Sequence, residues 1–101
     1  MDNRIGVVIQ RPPDDRLAEL LRITLGLYTA DVLAGVVVWG NGCAVFKDDQ
    51  NPAARQICRY LDELVECDVP VYQTEGSGPL VSISPQKAAE WLKDIRWVIV
   101  H

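Results

Sequence analysis

The sequence predicts a three-layer α/β/α domain built on a mainly parallel sheet, and three observations predict it. Short apolar runs rich in β-branched residues recur along the chain, amphipathic helical segments separate them, and the two kinds of segment alternate. Strands that are apolar without a break are buried on both faces, as in a parallel sheet. Right-handed crossovers then carry helices onto the two faces of that sheet. With 101 residues, 49% hydrophobic and 24% charged, the composition is globular and leaves room for one domain, residues 1–101.

Ile5-Gly6-Val7-Val8-Ile9 is the first strand, stopped by Gln10-Arg11-Pro12-Pro13. Asp14 and Asp15 suit the first turn of a helix, and Leu17, Leu20, Leu21, Leu25 and Tyr28 carry it at 3–4 residue spacing to about Thr29. Val36-Val37-Val38-Trp39 forms the second strand and leaves through Gly40-Asn41-Gly42, whose two glycines permit a turn with positive φ. Asn51-Pro52 supplies a cap and a first-turn proline for a second helix, with Ala54, Ile57, Leu61, Leu64 and Val65 on its apolar face. Val69-Pro70-Val71-Tyr72 reads as a third strand only if its proline stands at the start or where no ladder bond is needed. A loop through Glu75-Gly76-Ser77-Gly78-Pro79 reaches the brief apolar run Leu80 to Ile83. Ser84-Pro85 then repeats the cap-plus-proline signal ahead of Ala88, Ala89 and Leu92, a third helix, and Trp97-Val98-Ile99-Val100 is the last strand.

Charge and cysteine usage narrow the function classes. Fourteen acidic against ten basic side chains give a net charge of −4, which repels a phosphate backbone and disfavours nucleic acid as a partner. Three cysteines cannot all pair internally, so a reducing cytoplasm is the expected location. Met1-Asp2-Asn3-Arg4 leads straight into the first strand without the pattern of an export signal. The longest nearly uncharged run, Val32 to Ala44, falls short of the roughly 18 apolar residues of a spanning helix, so no membrane role is expected. Tyr28, Trp39, Trp91 and Trp97 supply large apolar surface to a small domain and predict an oligomer.

In an open parallel sheet, ligands and reactive groups gather beyond the carboxyl ends of the strands. Those loops are Arg11 to Asp14, Gly40 to Val45 and Gln73 to Gly78, with Arg11, Pro12, Gly40, Asn41, Gly42, Cys43, Thr74 and Glu75 as the candidate residues. Cys43 is the candidate nucleophile, since turn amides at Gly40-Asn41-Gly42 would favour a thiolate, while the other reading makes it a small apolar residue packed under the loop. Cys58 falls on the apolar face of the second helix, and Cys67 stands between Glu66 and Asp68, whose charges oppose a thiolate. No Cys-x-x-Cys is present and the single histidine is His101, so no zinc or iron–sulfur ligand set is predicted, and no cofactor. Gly40-x-Gly42 and Gly76-x-Gly78 lack the third glycine and following helix of a dinucleotide fingerprint. Asp48, Asp49 and Glu75 have no fixed partner for acid–base work and read as solvated loop.

The order of these pieces resembles the DsrE/DsrF family of sulfur-relay proteins, nearest the DsrF or TusC branch. The likeness rests on a strand running into Arg11-Pro12-Pro13, a strand ending Trp39-Gly40-Asn41-Gly42-Cys43, the stretch to Gln50, the segment Val71 to Ser77 and the terminal Trp97 to Val100. The resemblance implies a sheet of about five parallel strands between helices, and homo- or hetero-oligomers with related sulfur-relay subunits. It also implies persulfide handling, with the sulfur-carrying cysteine of the catalytic branch placed after the third strand. Gln73 to Gly76, the matching positions, hold no cysteine, which agrees with an accessory or structural subunit. Cys43 stands where the family usually has valine, so a sulfurtransferase with Cys43 as persulfide carrier is the alternative, and a small-ligand or nucleotide-binding module is a further one.

Overall fold

The computed structural model describes residues 2–48, 50–75 and 78–101. Five strands, β1 (Asp2–Ile9), β2 (Leu33–Val38), β3 (Val71–Gln73), β4 (Val81–Ser82) and β5 (Ile95–Val100), form one sheet in the order β4-β3-β2-β1-β5. All four pairings are parallel. Helices α1 (Asp15–Thr29), α2 (Pro52–Glu66) and α3 (Pro85–Lys93) complete a three-layer α/β/α fold. The crossovers through α1 and α2 both step from β1 toward β3 and lie on one face, whereas the crossover through α3 returns across the sheet to β5 and covers the other.

Each helix starts on the residue whose chemistry caps it. Asp14 accepts from Leu17 N at 2.7 Å, Asn51 from Ala53 N at 2.9 Å and Ser84 from Lys87 N at 3.2 Å. Pro52 and Pro85 occupy the first helical positions, where a missing N–H costs no bond.

Side-chain alternation sorts the sheet into two faces. Val7, Ile9, Val36, Val38 and Val71 meet Leu17 and Leu21 of α1 and Ile57, Leu61 and Leu64 of α2 in the main core. On the other face, Leu92 and Ile95 pack over Gly6, and Trp91 packs over Gly35 and edge-on to Tyr72, with ring centroids 5.7 Å apart.

Element boundaries differ from the sequence reading in instructive ways. β1 starts at Asp2 and β2 at Leu33, because an edge or a central parallel strand continues wherever a neighbour offers ladder bonds, whatever the side chain. Pro70 stands just ahead of β3 and its carbonyl accepts from Val36 N at 2.9 Å, so the proline costs no ladder bond. The chain leaves β2 through Gly40 at a positive φ of 55°, as the glycines allow, and continues as a 3-10 helix over Gly40–Phe46. Val65, expected on the buried face of α2, is 46% exposed near the helix end, one residue round from Leu64. Of the four large aromatics, Trp91 is committed to the fold and Trp39 is half-buried, while Tyr28 and Trp97 are exposed. β5 is buried only at Ile95; beyond it Trp97 is 56% and Val100 55% exposed, on opposite faces of an edge strand.

Candidate functional site

Parallel strands deliver the ends of β1, β2 and β3 to one edge, and three loop segments meet there. A cleft of about 350 Å³ is lined by Pro12 from the first loop, Gly40, Asn41, Cys43, Ala44 and Lys47 from the second and Glu75 from the third. The sequence-predicted Pro12, Gly40, Asn41, Cys43 and Glu75 are therefore brought together. Arg11 is exposed and does not line the cleft, and Thr74 and Gly42 support it from behind. Gly76 and Ser77, with Asp49, lie outside the described residues.

Two glycines and a threonine fix the shape of the floor. Gly40 has φ +55°, a left-handed conformation that glycine adopts without a Cβ penalty. Its N–H donates to Thr74 Oγ1 at 2.9 Å, tying the end of β3 to the end of β2. Trp39 N donates to Ile9 O at 2.6 Å, drawing the loop so close to β1 that a Cβ on Gly42 would collide with the same carbonyl.

Behind that floor, Gln73 does the work of a small network. It is fully buried, and its Nε2 donates toward Glu75 O at 2.8 Å, Gly78 O at 3.0 Å and Ser82 Oγ at 3.2 Å. Its Oε1 accepts from Leu80 N at 2.8 Å. One amide side chain thus holds both ends of the β3–β4 connection, where a carboxylate could not donate and a hydrophobe could do neither.

The thiols occupy three different environments. Cys43 is 6% exposed, and its sulfur donates back to Val38 O at 3.4 Å, so the cleft meets a packed thiol instead of a projecting one. Cys58 is half-buried against Val45 O at 3.7 Å, and Cys67 is exposed at the end of α2. Among the described residues, the cleft is lined by one cationic side chain, Lys47, and one anionic side chain, Glu75. Nearby, His101 Nε2 stands 3.4 Å from Asp14 Oδ1. Among the described residues, no group of three or more His, Cys, Asp or Glu could hold a metal ion.

Lys47 lies outside the loops the sequence marked, and Gln73 opens one of them without having been given a role. Lys47 is the C-cap of the 3-10 helix, which brings it to the same cleft as Cys43. The signal for Gln73 was available: it shares the core-facing parity of Val71, and a polar residue at such a position has to find internal partners.

A second cleft, of about 420 Å³, lies between α2 and the β3–β4 edge and is mostly apolar, with Asp62 and Asp68 as its charged groups. No helix among the described residues is long and apolar enough to cross a membrane. No family model, curated protein or solved structure matches the chain.

Proposed function

We propose that the protein is an accessory, non-catalytic subunit of a sulfur-relay assembly, in which persulfide sulfur passes between cysteines of related cytoplasmic subunits. The observation that carries this reading is the occupancy of the carboxyl edge after β3. Gln73 and Thr74 are committed to internal hydrogen bonds there, Glu75 lines the cleft, and none of the three is a thiol. An accessory chain of this kind contributes shape and binding surface, and the apolar edge at β5 is surface of that sort.

Cys43 favours one second reading, a sulfurtransferase, because it is the only thiol that lines the carboxyl-edge cleft. Sulfur loading separates the two. Incubation with a persulfide donor, followed by intact-mass measurement, looks for a gain of about 32 Da, one sulfur atom. The accessory reading expects no loading at Cys43 and binding to a cysteine-bearing partner that survives Cys43→Val. A gain mapped to Cys43 and abolished in Cys43→Ala would replace it with the enzyme reading.

A further inference from the structure

We propose that β5 is the interface through which two copies of this chain associate, pairing antiparallel with its own counterpart about a two-fold axis at Val98. Two five-stranded sheets would then become one sheet of ten. The inference goes beyond the sulfur-relay reading and does not depend on it.

The backbone of β5 supplies the first argument. His101 N donates to Val8 O at 2.9 Å and Gln10 N donates to His101 O at 2.8 Å, so both polar groups of residue 101 face β1. In a parallel ladder this direction alternates along the strand, which turns Ile99 and Trp97 toward β1 and leaves Arg96, Val98 and Val100 facing outward. Among the described residues no strand lies beyond β5. Three consecutive outward residues make an open edge, which soluble proteins normally blunt with charge, proline or a bulge. Here the only charged residue within Ile95–Val100 is Arg96, and no proline is present.

Self-complementarity selects the occupant. A two-fold axis perpendicular to the sheet keeps each face continuous and sets residues of equal parity opposite one another. Centred on Val98, it pairs Val98 with Val98 and Arg96 with Val100, using every outward-facing group of the strand in hydrogen-bonded pairs. Trp97 then lies opposite Ile99 of the second copy, an aromatic and β-branched pair of the kind that stabilises antiparallel ladders. The two Arg96 side chains end up four residues apart along the ladder, roughly 13 Å, so like charges do not meet. Each Arg96 guanidinium is already held over its own Trp97 ring, 5.2 Å from the centroid.

Trp97, Val98, Ile99 and Val100 together present roughly 350 Å² of apolar side chain, below the roughly 800 Å² per partner of a standard interface, so the pair is a small one held by ladder hydrogen bonds as well as by apolar contact.

Light scattering across the micromolar range should give twice the 11.3 kDa of one chain. Val98→Lys sets two ammonium groups opposite each other and should weaken the dimer at least tenfold, with the circular dichroism of the fold unchanged. Oxidation of Val98→Cys in a Cys67→Ser background should trap a disulfide dimer, because a hydrogen-bonded antiparallel pair has Cα atoms about 5.5 Å apart, within disulfide reach. Trp97→Cys should stay unlinked, since its symmetry mate is diagonal at about 7–8 Å. A monomer at every concentration, a trimer or larger closed species, or trapping through Trp97→Cys and not Val98→Cys would overturn the proposal.

Discussion

The indole of Trp91 occupies the space that a side chain on Gly35 would need. Its Cζ2 lies 2.8 Å, and the Pro70 carbonyl oxygen 2.7 Å, from the position of a Cβ on that glycine. The α3 layer is only nine residues long, so this one contact, with Trp91 edge-on to Tyr72, seats much of the layer on the sheet. Gly35→Ala pushes against backbone on one side and a bulky ring on the other, and should destabilise the protein by about 1–3 kcal/mol in denaturant melts. An unchanged midpoint would mean that α3 is free to shift outward.

On the opposite face the packing fails by loss instead of excess. Leu61 is 1% exposed in the centre of the α2 contact with the sheet. Leu61→Ala removes its transfer energy and leaves a cavity, which should cost about 2–5 kcal/mol in the same melts. A loss below about 0.5 kcal/mol would place that helix face against solvent.

Gln73 predicts a local effect as well as a global one. Gln73→Leu keeps the volume roughly but strips Leu80 N of its acceptor and the Glu75 and Gly78 carbonyls of their donor. Leaving such groups unsatisfied should cost about 1–3 kcal/mol. Hydrogen exchange should locate the damage, with the Leu80 amide losing protection while the β1 and β2 amides keep theirs. Equal loss of protection across all strands would show that the network is global in its effect.

Much of this fold was legible because local chemistry and tertiary context agreed. Asp14, Asn51-Pro52 and Ser84-Pro85 mark three helix starts by a capping bond that needs no distant partner. The uninterrupted Val36-Val37-Val38 run announces a strand buried on both faces, which it is. The misread parts depend on distant partners. The positive φ at Gly40 was expected, but the 3-10 helix that follows was not: Trp39 N reaches Ile9 O and Thr74 Oγ1 captures Gly40 N, two bonds across sequence separations that no local pattern encodes. Strand ends in a parallel sheet must share an edge, and Cys43 lies packed under the loop at that edge, as the apolar reading of its sequence context had it.

That burial reorders the thiols. From the turn alone Cys43 would be labelled first by an alkylating reagent, but access in the folded protein runs the other way. Cys67 should react first, Cys58 next and Cys43 last under native conditions, with all three equalised in denaturant. Peptide mapping after brief alkylation reads the order directly. Early labelling of Cys43 would show that the 3-10 helix opens readily, and would revive its candidacy as a nucleophile.

Cys67 also sets a titration that can be read without labelling. A hydrogen bond to Cys67 comes first among the causes that hold the Tyr28 phenol above its ordinary value of 10.0, followed by the charge of Cys67, partial desolvation and the carboxylates of Asp68 and Asp31. Since the phenol binds its proton more tightly in the folded chain, its contribution to stability is fully present below pH 10 and is lost as pH rises through the folded value. Tyr28→Phe, subtracted from the tyrosinate absorbance of the parent, isolates this group from Tyr60 and Tyr72. Cys67→Ala should let Tyr28 ionise at lower pH than in the parent, because the largest of these causes is gone while Asp68 and Asp31 remain. Identical titration curves in the two proteins would mean that the sulfur does not contact the phenol, and that the carboxylates alone shape its behaviour.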